Sequence, residues 1–305
     1  GDLTIGDTLK KIKEIGPRTE VIETIFVINQ NKQLVGTADL RDILIGKEET
    51  KLVDIINDNI LAVHPEVDQE EVSRLVSKYD LKVIPVVNRK NNILGIITVD
   101  DIIDVIDDEA TSDYSGLAGV DVEATAETPL KASIKRLPWL ITLLFLGMST
   151  ATLISHYELL INEASILAVF ISLITGTAGN AGTQSLAVAV RKLAISDDKD
   201  NNFFKLVINE VLTGLITGLV TGVVIFVVVG FWKHNFVLGF VIGIAMLCAI
   251  TVANLAGSFI PILMEKIGFD PAVASGPFIT TLSDLTSVLI YFNIARLFMG
   301  FLIEM

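Results

Sequence analysis

The chain has 305 residues, 36 acidic against 23 basic side chains, a net charge of −13 and a mean hydropathy of +0.61. No basic stripe exists to neutralise phosphates, which argues against nucleic acid as a partner. A single cysteine, Cys248 in an apolar run, excludes a disulfide framework and a thiolate metal site. Charge is segregated along the chain. Residues 1–137 carry 26 acidic and 16 basic side chains and residues 138–305 carry 10 and 7, which predicts an aqueous domain followed by a membrane-embedded one.

The first apolar stretch, residues 21–28, is too short for a signal peptide and reads as a strand, so the aqueous half is expected in the cytoplasm. Two similar units follow, at 22–44 and 81–106. Each has a β-rich run, an Asn-rich hairpin turn, a short strand containing Gly, and a helix that opens on acidic residues. Between them, residues 68–80 have the 3.6-residue apolar period of an amphipathic helix, with Val72, Leu75 and Val76 inward. A repeat of this length predicts paired modules that share a core.

Five runs in the second half are long enough for hydrocarbon about 30 Å thick, which takes roughly 20 helical residues. They span 138–160, 164–194, 203–231, 236–267 and 271–303. Lys131, Lys135, Arg136, Arg191, Lys192, Lys199, Lys205 and Lys266 fall on one side of these runs, and Lys233 and Arg296 on the other. That bias places the N-terminal half inside and the C-terminus outside. Gly214, Gly218 and Gly222 are spaced by four and predict close helix packing. The polar segment GTAGNAGTQS (176–185) is poor for lipid contact, so Asn180 either faces a pore or bonds a neighbouring helix.

The fifth run contains Asp284, and an ionisable group at membrane depth costs at least ~2.5–3.5 kcal/mol on insertion scales, so such groups face a water-filled path by default. Arg296 is twelve residues further on, about 18 Å along a helix, too far for an intrahelical pair. A protonated structural aspartate is the alternative. Thr280, Thr281 and Ser283 before it, and a helix break expected at Gly276–Pro277 that would free carbonyls, favour a cation path.

The segments LVGTADLRD (34–42) and LGIITVDDIID (94–104) resemble a tandem cystathionine-β-synthase (CBS) pair. The resemblance implies an adenine nucleotide such as ATP, its ribose held by a Thr/Ser-x-x-Asp motif that Thr98 and Asp101 fit. The first copy carries Asp39 where the hydroxyl is usual, and a CBS pair without nucleotide is the alternative.

The pair followed by five spans, with RLPWL (136–140), GNAGTQS (179–185) and the segment around Asp284, resembles the MgtE family of magnesium channels and transporters. The implied fold is an α/β tandem CBS domain (1–107, its first unit clipped at the start), a connecting or plug helix (108–130) and an all-α domain of five transmembrane helices (131–305). The family's acidic N-terminal helical domain is not in these residues.

The resemblance further implies a homodimer in the lipid bilayer of the cell membrane, with a Mg²⁺ pathway on its two-fold axis. Two copies of Asp284 would line that pathway, with the carbonyl of Thr280 and with Asn180. It also assigns a cytosolic Mg²⁺ sensor to Asp104 with Asp80, to Glu70, Glu109 and Asp113, and to Asp101, with Ser112 where a further acidic residue is usual. The residues themselves leave a solvated acidic face as the other reading.

Function is thus expected to be Mg²⁺ admission gated by intracellular Mg²⁺. The rivals are a carrier coupled to H⁺ or Na⁺, a CBS-regulated channel for other ions, and a membrane-tethered adenine-nucleotide sensor without transport. No enzyme is expected, because there is no P-loop or triad order and His64, His156 and His234 are scattered.

Overall fold

A computed structural model of the chain describes residues 3–15, 22–120, 128–195, 199–271 and 274–303. The chain divides into two compact units, Gly1–Ala110 and Thr111–Met305.

The first unit contains one hairpin built twice. Strands β1 (Thr24–Ile28) and β2 (Leu34–Asp39) pair antiparallel with Thr24 opposite Asp39; β3 (Val83–Val87) and β4 (Ile93–Thr98) pair with Val83 opposite Thr98. Both hairpins shift register at the same point, after Val27 and after Val86. The turn chemistry also repeats. Asn29 Oδ1 accepts from the N–H groups of Asn31 and Gln33 at 2.9 and 3.0 Å, and Asn88 Oδ1 from those of Lys90 and Asn92 at 2.9 and 3.0 Å. An Asx side chain that bonds its own backbone in this way fixes a tight turn. The two turns bond each other: Leu34 N–H donates to Asn91 O and Asn91 Nδ2 to Leu34 O, both at 2.9 Å.

Helices α1 (Ile5–Ile15), α2 (Leu40–Ile45), α3 (Gln69–Lys78) and α4 (Val99–Ala118) complete this part of the chain. Ile5, Val27, Ala38, Ile43 and Leu52 form one core, and Val63, Val72, Val76, Ile84 and Ile102 the other. The predicted amphipathic helix is α3, capped by Asp68, which accepts from Glu70 N–H at 2.9 Å; Val72 and Val76 are buried and Leu75 is partly so. Each repeat therefore has its own core, where a shared one was expected. The connecting segment begins as the last turns of α4, which continues unbroken to Ala118; residues 121–127 of it lie outside the described residues.

The second unit holds α5 (Pro129–His156), α6 (Glu158–Glu163), α7 (Ile166–Ile195), α8 (Lys199–Trp232), α9 (Phe236–Lys266), α10 (Gly276–Leu297) and α11 (Met299–Ile303). Among the described residues, five of its helices are long and apolar enough to cross a membrane: α5, α7, α8, α9 and α10. Their boundaries correct the sequence reading in two places. The first span does not begin at Pro138, which lies inside α5; Pro129 opens that helix, because a residue without an N–H suits the first turn. Nor do Gly276 and Pro277 interrupt the last span. They open α10 behind the N-cap Ser275, so no mid-helix carbonyls are freed there. The polar segment 176–185 does not break α7.

Helix α9 is the centre of this unit, packed by α7, α8 and α10. In lipid, apolar side chains gain nothing by leaving solvent for protein, so close backbone approach must hold helices together. The spaced glycines of α8 do this: Gly214 faces Thr251 and Asn254, Gly218 faces Leu247, and Gly222 faces Gly243. A Cβ on Gly222 would stand 2.6 Å from Gly243 O, which is backbone and has little room to move. Gly222→Val is therefore expected to destabilise the α8–α9 seam by an overpacking cost of about 1–3 kcal/mol. The check is a lower thermal midpoint in detergent, followed by loss of the monodisperse peak; an unchanged midpoint would refute tight packing at this glycine.

Candidate cation-path and cytosolic sites

Helix α10 carries the membrane-depth carboxylate. Its first turns are threonine-rich, and these hydroxyls bond back to the helix: Thr280 Oγ1 donates to Gly276 O at 3.0 Å and Thr281 Oγ1 to Pro277 O at 2.8 Å. Asp284, one turn beyond Thr280, is half-buried and has no hydrogen-bond or ion-pair partner among the described residues. Arg296 lies in the last turn of α10 and makes no ion pair with it. Ser283 and Ser287 are buried, and their hydroxyls also lack partners.

The glycine-rich segment of α7 packs directly on this stretch. A Cβ on Gly179 would stand 3.0 Å from Thr280 Cγ2; one on Gly182 would stand 3.0 Å from Ser283 Oγ and 3.3 Å from Ala253 O. The two motifs singled out in the sequence, a hundred residues apart, thus meet. Asn180, beside Gly179, is exposed on the single chain, and among the described residues its side chain bonds no neighbouring helix of that chain. The end of α4 reaches the start of α10. Leu117 packs in a cluster with Ala274 and Ile279, and Gly119, at φ +66°, lies where a Cβ would be 2.7 Å from Trp139 Nε1. Trp139 Nε1 and Ser275 Oγ at this seam are buried without partners.

Sequence reasoning missed a second polar cluster. Ser185 Oγ donates to Asn254 O at 2.8 Å and Ser258 Oγ to the same oxygen at 3.0 Å, and Glu210 of α8 is 8% exposed. Glu210 was visible as a carboxylate inside an apolar run, and its burial was not.

The predicted sensor residues are spread over the first unit and α4. Glu70 stands in the first turn of α3, and Asp80 follows α3 with a left-handed φ of 50°. Asp101, Asp104, Glu109 and Asp113 are on α4, and Glu109 Oε1 accepts from Gln69 Nε2 at 2.9 Å. Among the described residues of one chain, no three His, Cys, Asp or Glu side chains come together as a metal site.

Thr98 and Asp101 form a reciprocal cap at the start of α4. Thr98 Oγ1 and N–H donate to Asp101 Oδ2 at 2.6 and 3.0 Å, and Asp101 N–H donates to Thr98 Oγ1 at 3.4 Å. These bonds to the charged form hold the Asp101 carboxyl below its ordinary value. The same cap recurs at α1 with Thr4 and Asp7.

The first copy of the motif differs: Asp39 at the N-cap of α2 makes no side-chain cap bond. It lines a cavity of about 450 Å³ together with Asp42, Asp80, Lys82, Thr24, Phe26, Thr37, Asn57 and apolar residues including Ile60, Leu61, Val83 and Pro85. Neither Thr98 nor Asp101 is part of that lining.

A repeated α/β hairpin unit joined to a polytopic helical unit, with an unpaired carboxylate among the spans, defines a membrane protein carrying a CBS pair. The profile described as "MgtE: Divalent cation transporter" matches residues 171–294, and the CBS domain profile matches 52–108. The "Magnesium transporter MgtE" of Enterococcus faecalis is 64% identical over 300 residues, covering 98% of this chain and 66% of that one. Its Bacillus subtilis namesake is 40% identical over 296 residues, covering 97% and 66%. The solved soluble part of a magnesium transporter is 38% identical, with a TM-score of 0.35 over 36% of this chain and 43% of that one. The chain belongs to the MgtE family, and it spans about two thirds of the length of these curated relatives.

The cap at α4 generates a pH prediction. A carboxyl held low in the folded state contributes stability that is present above its unfolded pKa and lost as pH falls through the folded one. In Thr98→Ala the Asp101 carboxyl is expected to titrate closer to its ordinary value, and the acid-side loss of stability attributable to it should shrink. Carbon-detected NMR titration of the Asp101 carboxyl reads this directly; an unmoved titration would mean that Thr98 does not hold the carboxylate.

Proposed function

We propose that the chain forms, as a homodimer in the cell membrane, a pathway that admits hydrated Mg²⁺ down its electrochemical gradient. The observation that carries this is Asp284: a half-buried carboxylate without a partner on an apolar helix, pressed by the glycine-rich face of α7. The relatives named as magnesium transporters supply the ion. Mg²⁺ dehydrates reluctantly and keeps several of its waters, so two facing carboxylates with Thr280 and Asn180 suit outer-sphere recognition of the hydrated ion. Two like charges at one axis also repel unless a cation lies between them, which favours occupancy.

The acidic positions of the CBS pair and α4 are read as the sensor, on the cytoplasmic side. Among the described residues one chain gathers no ligand set, and the proposed effect of Mg²⁺ works between copies. At low Mg²⁺ the acidic faces repel one another; at high Mg²⁺ that repulsion is relieved and the closed arrangement is favoured by its differential affinity for the ion. The contact of Leu117 and Gly119 with the start of α10 supports α4 as the element that transmits the change. The cavity beside Asp39 and Asp42 is read as the small-molecule site of the CBS pair, for a ligand of the adenine nucleotide or nucleoside class. Proton or sodium coupling is the competing reading for the transport step.

Mg²⁺ uptake into proteoliposomes, at low and high Mg²⁺ on the CBS side, tests this reading. Asp284→Ala is expected to abolish most of the flux, Asp284→Asn to reduce it strongly, and high Mg²⁺ to lower it in the unaltered chain. Flux untouched by Asp284→Ala would sink the pathway, and flux that follows an imposed H⁺ or Na⁺ gradient would replace the channel with a coupled carrier.

A further inference from the structure

Asn254 of α9 is buried, and its side chain reaches two neighbouring helices. One amide orientation satisfies both of its ends: Oδ1 accepts from Gly214 N–H of α8 at 3.3 Å, and Nδ2 donates to Ala181 O of α7 at 3.1 Å. The reverse orientation gives a single long bond, from Nδ2 to Glu210 O at 3.4 Å, and sets the amide oxygen against the Ala181 carbonyl, where neither can donate. The main chain of Asn254 adds a third tie, because its carbonyl accepts from Ser185 Oγ of α7 at 2.8 Å. The slot for the side chain exists because position 214 is glycine: a Cβ there would stand 3.1 Å from Asn254 Cβ and 3.3 Å from its Cγ.

Ala181 and Ser185 belong to the polar segment 176–185 of α7, which packs on the helix bearing Asp284. Asn180 precedes Ala181 and Gly182 follows it. A Cβ on Gly182 would meet Ser283 Oγ, next to Asp284, and Ala253 O, next to Asn254. Contacts thus run from Asn254 through α7 to the stretch of α10 that carries the carboxylate. Between apolar helices in lipid, close packing fixes how near two backbones come, and directional bonds fix how one is turned and slid against the other. An apolar side chain at 254 would fill the space and hold neither Ala181 nor Ser185 in register. We propose that Asn254 is a positioning residue of the ion pathway: by holding α7 it sets Asn180 relative to Thr280 and Asp284, and with it the discrimination between Mg²⁺ and Ca²⁺. The smaller Mg²⁺ demands near-ideal octahedral geometry and keeps its waters, whereas Ca²⁺ accepts flexible oxygen cages, so a loosened ring costs Mg²⁺ more. The inference rests on the reading of Asp284 as the pathway carboxylate and adds a residue that does not itself touch the ion.

Proteoliposome flux of Mg²⁺ and of Ca²⁺, per folded protein and with the full chain, tests the proposal. Asn254→Leu nearly keeps the side-chain volume and removes both amide bonds. It is expected to lower the Mg²⁺/Ca²⁺ flux ratio by about three- to tenfold, the range that two interhelical bonds of ordinary strength in lipid can supply. Ser185→Ala removes only the bond from α7 to the Asn254 carbonyl and should lower the ratio about twofold. It carries the test alone should thermal melting in detergent show Asn254→Leu to be unfolded. In a chain with Asn180→Ala, Asn254→Leu should add little further change, because both act through one segment. Equal loss of both fluxes with an unchanged ratio would leave Asn254 a packing residue and overturn the proposal, as would a fully additive loss in the double variant. Flux that survives Asp284→Ala brings down the pathway reading itself, whereas flux that needs Asp284, with a ratio unmoved by Asn254→Leu, overturns this inference alone.

Discussion

The helical unit depends on places where a side chain is missing. Hydrocarbon gives apolar helices no reason to leave it, so their association needs backbone contact, and glycine is what permits it. Gly257 meets the carbonyl of Gly182, Gly222 meets that of Gly243, and Gly179 takes the methyl of Thr280. These contacts set the spacing of α7, α8, α9 and α10. The glycine-rich stretch of α7 is thus a packing surface first, and its polar members are carried to α10 by the glycines between them.

That packing gives Asp284 its character. The carboxylate lies on a helix whose neighbours press it from the α7 and α9 sides and offer it no donor, while Ser283 and Ser287 next to it are buried with unpaired hydroxyls. Leaving polar groups unsatisfied at membrane depth is expensive and is a mark of sites that meet ions or water. The same unit brings the end of α4 onto Ser275 and Gly276, so the N-terminus of the helix that bears Asp284 is held by the segment arriving from the CBS pair.

The first unit solves a different problem, with water as its solvent. Two hairpins with identical turn chemistry bond through Leu34 and Asn91, and each repeat then closes its own small core. Duplication leaves the two motif positions free to diverge. One copy uses its hydroxyl and carboxylate to start a helix, and the other, with two carboxylates, turns them to a cavity.

Much of this was legible in the residues. Segregated charge, five apolar runs, the doubled hairpin and the membrane-depth Asp284 each follow from local chemistry: solvation, hydrogen-bond demand and turn preference act on neighbouring residues. Helix ends were less legible. Pro138 is compatible with the middle of a long apolar helix and Pro277 with its first turn, and which applies depends on what flanks them in space. It took the packed structure to bury Glu210, to bring Gly179 against Thr280, and to set Asp39 in the wall of a cavity lined by both repeats while Thr98 and Asp101 are consumed by a cap. The physical reason is common to all three: they are contacts between segments distant in the chain, and no local preference encodes which side chain finds a partner and which is left facing a cavity.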